Sequence, residues 1–142
     1  EGTTVTSIKP RILALALALA AIPASATVPP ALQDRLVREA RAADPAFKGF
    51  SAARGEKLFN ATHGGEWSCA SCHTPDPRAM GKHARTQKVI EPLAPVANPK
   101  RLADETTIEK WFRRNCNDVL SRACTAVEKG DVLQYLTSLE RK

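Results

Sequence analysis

Downstream of Pro29-Pro30 the apolar positions recur with helical period in four separate stretches. Leu32, Leu36, Val37 and Ala40 share one face and predict a helix over 31–43, closed by Pro45 and Gly49. Ser51 is placed as an N-cap for a second helix over 52–61, with Gly55, Leu58 and Phe59 on one side. A glycine inside a helix costs about 1 kcal/mol, so Gly55 predicts that another helix crosses closely there. Thr106-Thr107-Ile108-Glu109 matches the capping pattern S/T-x-x-E and opens a helix reaching about 120. Its apolar stripe is Ile108, Trp111, Phe112 and Val119, interrupted by Asn115, while Arg113, Arg114 and Asp118 fall on the outer side. Thr125-Ala126-Val127-Glu128 repeats the capping pattern and starts a last helix over 126–140, with Val132, Leu133, Leu136 and Leu139 inward and Tyr135 beside them.

Two stretches lack this pattern. Near the start, Lys9 and Arg11 precede an apolar run over 12–22, then Pro23 and Ala24-Ser25-Ala26. A basic region, a short apolar region and an A-x-A site predict a cleaved export signal over 1–26. As helix the apolar run reaches roughly 16 Å, short of the ~30 Å hydrocarbon core that a membrane anchor must span. The second stretch, from Thr74 to Asp104, holds Pro75, Pro77, Pro92, Pro95 and Pro99 and reads as a long loop. The chain thus divides into a signal over 1–26, an N-terminal extension helix within 27–49 and one domain over 50–142.

Composition narrows the chemistry. Among 142 residues there are 21 Lys+Arg and 15 Asp+Glu, a net charge of +6, and only four Phe, two Trp and one Tyr. The cations are scattered without a long run, which excludes a nucleic-acid binder and fits a surface that steers an acidic redox partner. Seven aromatics are a thin supply for a core of this size, and a bound apolar group would make up the difference.

Cys69-Ala70-Ser71-Cys72-His73 identifies such a group. C-x-x-C-H is the attachment signature of a c-type haem. Two cysteines three apart lie on one face of a helical turn, reach two porphyrin vinyl groups, and carry His73 under the iron as proximal ligand. A zinc site would require a second ligand pair at matched spacing; Cys116 and Cys124 are eight apart with no histidine nearby. A thioredoxin-like pair would follow a strand in a βαβ pattern, and no such strand is legible. Cys116 and Cys124 bracket the turn between the last two helices. In an exported chain they are expected to form a disulfide, the alternative being two buried free thiols.

The sixth ligand has several candidates. Met80 lies seven residues after His73, an extended reach of only ~23 Å, and His83 has slightly more slack. Asn115 is a carboxamide on an otherwise apolar stripe; it bonds either iron or backbone and propionate groups. Lys88 and Arg101, with Arg85, are candidate propionate contacts.

The segments Cys69–Thr74, Thr86–Pro95, Lys110–Cys116, Arg122–Thr125 and Glu128–Asp131 together resemble the SHP-type oxygen-binding cytochromes c and the related cytochrome c double-prime. The resemblance runs from about Ser51 to Leu139. It implies an all-α class I cytochrome c fold, with four to five helices around one covalent haem c and a long Pro-rich loop. It implies thioethers at Cys69 and Cys72, proximal His73, distal Asn115, and a Cys116–Cys124 disulfide, with Trp111 and Phe112 lining the distal pocket. Histidine at the Asn115 position would mark the double-prime branch. The resemblance further implies a periplasmic electron carrier whose asparagine leaves on reduction, so that O2, CO or NO binds, with a dihaem cytochrome c and a membrane cytochrome b as partners. The alternatives are a plain electron-transfer cytochrome with two permanent ligands and an enzyme reducing O2, peroxide or nitric oxide. A thiol oxidoreductase using Cys116 and Cys124 is more remote. Gln87 departs from the family pattern, where glycine is expected.

Overall fold

The computed structural model describes residues 1–2 and 28–140. The expected export signal over 1–26 and the last two residues therefore lie, apart from Glu1 and Gly2, outside the described residues. The elements in order are α1 (Pro30–Ala43), α2 (Ala52–Asn60), α3 (Cys69–His73), β1 (Gly81–Lys82), β2 (Val89–Ile90), α4 (Glu105–Leu120) and α5 (Ala126–Ser138).

α1 carries Pro30 in its first turn, where the missing N–H costs nothing. It buries Leu32, Leu36 and Ala40. The first two meet Ile108 of α4 and Leu133 of α5 in one apolar cluster. α2 is capped by Ser51, whose side chain accepts from the Arg54 N–H. Phe59, Val132, Tyr135 and Leu136 form the second cluster, and Phe112 touches both clusters.

Gly55 explains the closest helix contact, α2 against α5. A Cβ there would overlap the carbonyl of Asp131 and sit 2.9 Å from the Tyr135 Cβ. Asp131 is 4% exposed, and it is fully engaged. Its carboxylate accepts from the Ser51 N–H at 2.7 Å and from Arg54 Nε and Nη2 at 2.7 and 2.8 Å. Nothing in the helical periodicity marked this pair.

α4 makes no comparably close backbone approach to another helix. It is tied through side chains: Ile108, Phe112, and Glu109, which receives Arg35 of α1 at 2.8 Å and Lys129 of α5 at 2.7 Å. Its N-cap is Asp104, accepting from the Thr107 N–H at 2.7 Å, two residues before the expected start. Asp and Thr both cap well, and here the earlier residue holds the extended backbone conformation. α5 begins at the expected Thr125–Glu128 capping box.

The stretch read as featureless loop contains a small antiparallel ribbon, β1 with β2, pairing Gly81 with Ile90 and Lys82 with Val89. Strands of two residues are too short for periodicity to register. Gln87 closes the connection with φ +58°, the left-handed region that favours glycine, and its side-chain amide donates to the Ala84 carbonyl at 2.9 Å. The departure at Gln87 is accommodated by this side-chain bond.

Candidate functional site: the Cys69–His73 turn and the facing helix

α3 is a single turn whose start is fixed by a reciprocal serine pair. Ser68 Oγ accepts from the Ser71 N–H at 3.1 Å, and Ser71 Oγ accepts from the Ser68 N–H at 2.9 Å. Sequence reasoning passed over this capping box, although the S-x-x-S spacing was its signal. The chain leaves the turn through Thr74, at φ 62° and ψ 158°. The ψ obeys the restriction set by Pro75, while the positive φ is strained for a β-branched residue.

Both thiols are free and partly buried. Burial pushes the Cys69 thiol up to about 11, so it stays protonated at neutral pH. That is opposite to the depressed value of a thioredoxin-type nucleophile or a thiolate metal ligand. Cys72 Sγ accepts from the Ala84 N–H at 3.3 Å. His73 packs near Phe59, ring centroids 6.4 Å apart. Burial, and then the positive charge of Arg101, push its imidazole down to about 4, leaving the neutral, ligand-competent form at physiological pH.

Gly81 presses on this turn from the ribbon. An added Cβ would overlap the Cys72 carbonyl and come within 3.2 Å of the His73 Cα. It holds a positioning role that the sequence did not reveal.

On α4, Phe112, Asn115 and Val119 are partly buried, and Cys116 is buried. Cys116 is bonded to Cys124, with Cα atoms 5.6 Å apart, as expected from their placement around the turn. The Asn115 carboxamide makes no side-chain hydrogen bond among the described residues. Asn60 and Asn98, by contrast, donate to the Glu56 carbonyl and to Glu91. Trp111 is 42% exposed, with Arg114 and Lys110 over its ring at 5.3 and 5.8 Å. It flanks Phe112 along the stripe but is less enclosed than the stripe implied.

The remaining candidates are placed otherwise. Met80 is 54% exposed, and His83 is exposed with Nδ1 accepting from the Arg85 and Thr86 N–H groups. Arg101 donates to the carbonyls of Pro92 and Glu91, and Lys88 is exposed without an acceptor among the described residues.

The donor set fits haem c. Two free, partly buried thiols lie on one helical turn with a neutral imidazole. Cys69, Ala70, Leu93, Leu102 and Phe112 present partly buried apolar surface around the same cluster. Among the described residues, no three of His, Cys, Asp and Glu converge as a bare metal ion would require.

Comparison with known proteins agrees. A family described as "Domain of unknown function (DUF1924)" matches residues 45–136. Cytochrome c-type protein SHP of Cereibacter sphaeroides is 44% identical over 104 residues, 70% of this chain and 77% of that protein. Cytochrome c'' of Methylophilus methylotrophus is 40% identical over 101 residues, 68% and 70% of the two chains. The crystal structure of oxidised cytochrome c'' superposes with TM-score 0.69 at 37% identity, covering 79% of this chain and 94% of that one. A solution structure of the same protein, concerned with haem-ligand detachment, gives 0.68 at 36% identity, covering 78% and 93%. The structure of oxidised SHP, an oxygen-binding cytochrome c, gives 0.64 at 40% identity, covering 75% and 96%. A haem-attachment turn, an all-α frame around it and relatives of this similarity lead to one assignment: the chain belongs to the SHP-type family of c-type cytochromes, as a monohaem member with the class I cytochrome c fold.

Proposed function

We propose that this cytochrome is an exported, periplasmic electron carrier in which Asn115 is the distal ligand of the oxidised state only, so that O2, CO or NO binds after reduction. The observation that carries the proposal is the uncommitted carboxamide of Asn115, partly buried on α4 and next to a disulfide-anchored residue. Among the described residues no buried side-chain N or O atom lacks a partner, so the Asn115 amide still reaches solvent and is free to turn to an iron without breaking a protein hydrogen bond.

Cys69, Cys72 and His73 would hold the haem, which would supply a one-electron couple and a place for a small ligand. The chain supplies the rest. His73 offers a neutral ring nitrogen from below. Asn115 offers a hard, neutral, weak oxygen donor, which suits ferric better than ferrous iron. Once withdrawn, its amide N–H is available to donate a hydrogen bond to a bound diatomic. Phe112, with Trp111 beside it, excludes water from that side. Lys88 and Arg101 are the propionate contacts; Arg101 is already oriented by the carbonyls of Glu91 and Pro92.

Support for export comes from the sequence over 1–26. No helix of the described residues is long and apolar enough to cross a membrane. In this reading 27–49 is an N-terminal extension and 50–142 the haem domain, with a dihaem cytochrome c and a membrane cytochrome b as partners. That SHP binds oxygen and that cytochrome c'' is described through haem-ligand detachment support the same reading.

The test is spectroscopic. Asn115→Ala should change the spin state of the oxidised protein while the reduced protein still shifts its Soret band with CO. Asn115→His should give a low-spin oxidised form and slow gas binding. An oxidised Asn115→Ala spectrum identical to the native one removes Asn115 as ligand. A reduced native protein that ignores CO reduces the function to plain electron transfer.

A further inference from the structure

The ribbon that braces Cys72 also carries the least neutralised surface near the attachment turn. Residues 81–90 contain Lys82, Arg85 and Lys88 and no acidic residue. None of the three cations forms an ion pair among the described residues. Glu91, the next residue along, accepts from Asn98. Five cations elsewhere, Arg35, Arg54, Arg78, Arg122 and Lys129, have carboxylate partners.

The same ribbon exposes apolar side chains. Met80 is 54% and Val89 64% exposed. The register decides which way they face. Gly81 and Ile90 form one cross-strand pair, and Gly81 lies against Cys72 and His73. The neighbouring pair, Lys82 with Val89, therefore faces away from the turn. Val89 is an aliphatic contact rimmed by cations rather than a residue waiting to be covered by the cofactor.

We infer that the face formed by Met80, Lys82, Arg85 and Val89 is the docking surface for an acidic, single-electron carrier protein, and that the electron enters at the Cys72 edge. Carboxylates on the partner meet Lys82 and Arg85, and an apolar spot meets Met80 and Val89. The partner's reduced centre would lose one electron, and the haem held by Cys69, Cys72 and His73 would gain it. The Ala84 N–H, in the connection between β1 and β2, bonds Cys72 Sγ and so links that face directly to the attachment turn. α4 offers a rival basic face in Lys110, Arg113 and Arg114. There, however, Lys110 and Arg114 lie over Trp111, and no backbone hydrogen bond joins that face to the turn among the described residues. The inference rests on the electron-carrier part of the proposed function and not on Asn115.

The experiment measures second-order reduction of the oxidised holoprotein by reduced flavodoxin, used as an acidic one-electron probe. Lys82→Glu with Arg85→Glu, leaving Lys88 in place, should slow the reaction about tenfold at low ionic strength. The gap should close near 1 M salt, where the Debye length is about 3 Å. Met80→Ser with Val89→Ser should slow it at both salt levels. Lys110→Glu with Arg113→Glu should have a smaller effect than the ribbon pair. Reduction potentials measured alongside exclude a change in driving force, and an intact Soret band excludes failed haem attachment. Equal slowing by the α4 variant, or no slowing by either ribbon variant, overturns the assignment. A CO-insensitive protein would refute the Asn115 reading and leave this one standing.

Discussion

Asp131 on α5 and Asn115 on α4 are both polar residues set among apolar neighbours, and the fold treats them oppositely. Asp131 has both carboxylate oxygens engaged, by the Ser51 N–H and the Arg54 guanidinium. Asn115 is left without a hydrogen bond among the described residues. The difference extends to their surroundings. α2 and α5 meet backbone to backbone at Gly55, and the α3 turn beside them is locked by Ser68, Ser71 and Gly81. α4 touches the rest through a few side chains and one disulfide. The side of the attachment turn is thus closed by its own contacts, whereas Asn115 on α4 is left uncommitted, as its proposed role requires. If this contrast is right, substitutions in the α2–α5 packing should alter stability and leave the oxidised spectrum alone, and those that disturb Asn115 should change the oxidised spectrum whatever they do to stability.

The largest effect is expected at the crossing. Gly55→Val would drive a branched side chain into the Asp131 carbonyl, which is backbone and cannot rotate away. The cost should be at or above about 3 kcal/mol, the upper range for overpacking, read as a lowered urea midpoint. Asp131→Ala comes next. It strips the Ser51 N–H and the Arg54 guanidinium of their acceptor, at about 3 kcal/mol. Arg54 is half exposed and finds water, which keeps the figure from rising further. In both variants the oxidised spectrum should stay native. A changed spin state in either would show that the proximal packing also governs the iron, and the contrast would fail.

Replacing Cys116 and Cys124 together by Ser sharpens the other half. Opening so short a loop should cost about 2.5 kcal/mol by the loop-entropy relation. Cys116 adjoins Asn115, so the oxidised spectrum should now shift toward that of Asn115→Ala even at temperatures where the protein stays folded. A purely thermodynamic loss with a native oxidised spectrum would mean that the disulfide does not hold Asn115 in place.

The two sides also differed in how well the sequence could be read. The faces of α1, α2 and α5, the crossing at Gly55 and the Thr125 cap follow from local rules, since apolar period and capping chemistry act within one element. The Arg54–Asp131 pair was not legible, because its partners are 77 residues apart and each alone looks like a surface charge. The ribbon was hidden by its brevity and by a non-glycine residue at positive φ. On α4 the stripe was legible but the degree of enclosure was not. Trp111, grouped with the pocket by its spacing, stands 42% exposed under two cations. Motif and resemblance gave the haem turn outright, while the roles of Asn115, Lys88 and Arg101 depend on groups that the chain does not itself contain.

The smallest expected effect tests the tie that joins the two regions. Glu109 projects from α4 to Lys129 of α5 and Arg35 of α1. Burial pushes its carboxyl up, but the hydrogen bonds from Lys129 and Arg35 outweigh burial and hold it below its usual 4.5. A carboxyl depressed in the folded state stabilises through its charged form. That contribution is complete above the unfolded value of 4.5 and is lost as pH falls through the lower folded value. Glu109→Gln should therefore cost about 1 kcal/mol at pH 7, a modest figure because the group is partly exposed and screened by salt. The gap between native and variant should hold down to about pH 5 and shrink toward zero as acid protonates the native carboxyl. Urea titrations at pH 7, 5 and 3.5 measure it. A gap that is unchanged at pH 3.5 would mean that Glu109 acts by packing rather than by charge, and α4 would then be seated on its apolar stripe and its disulfide alone.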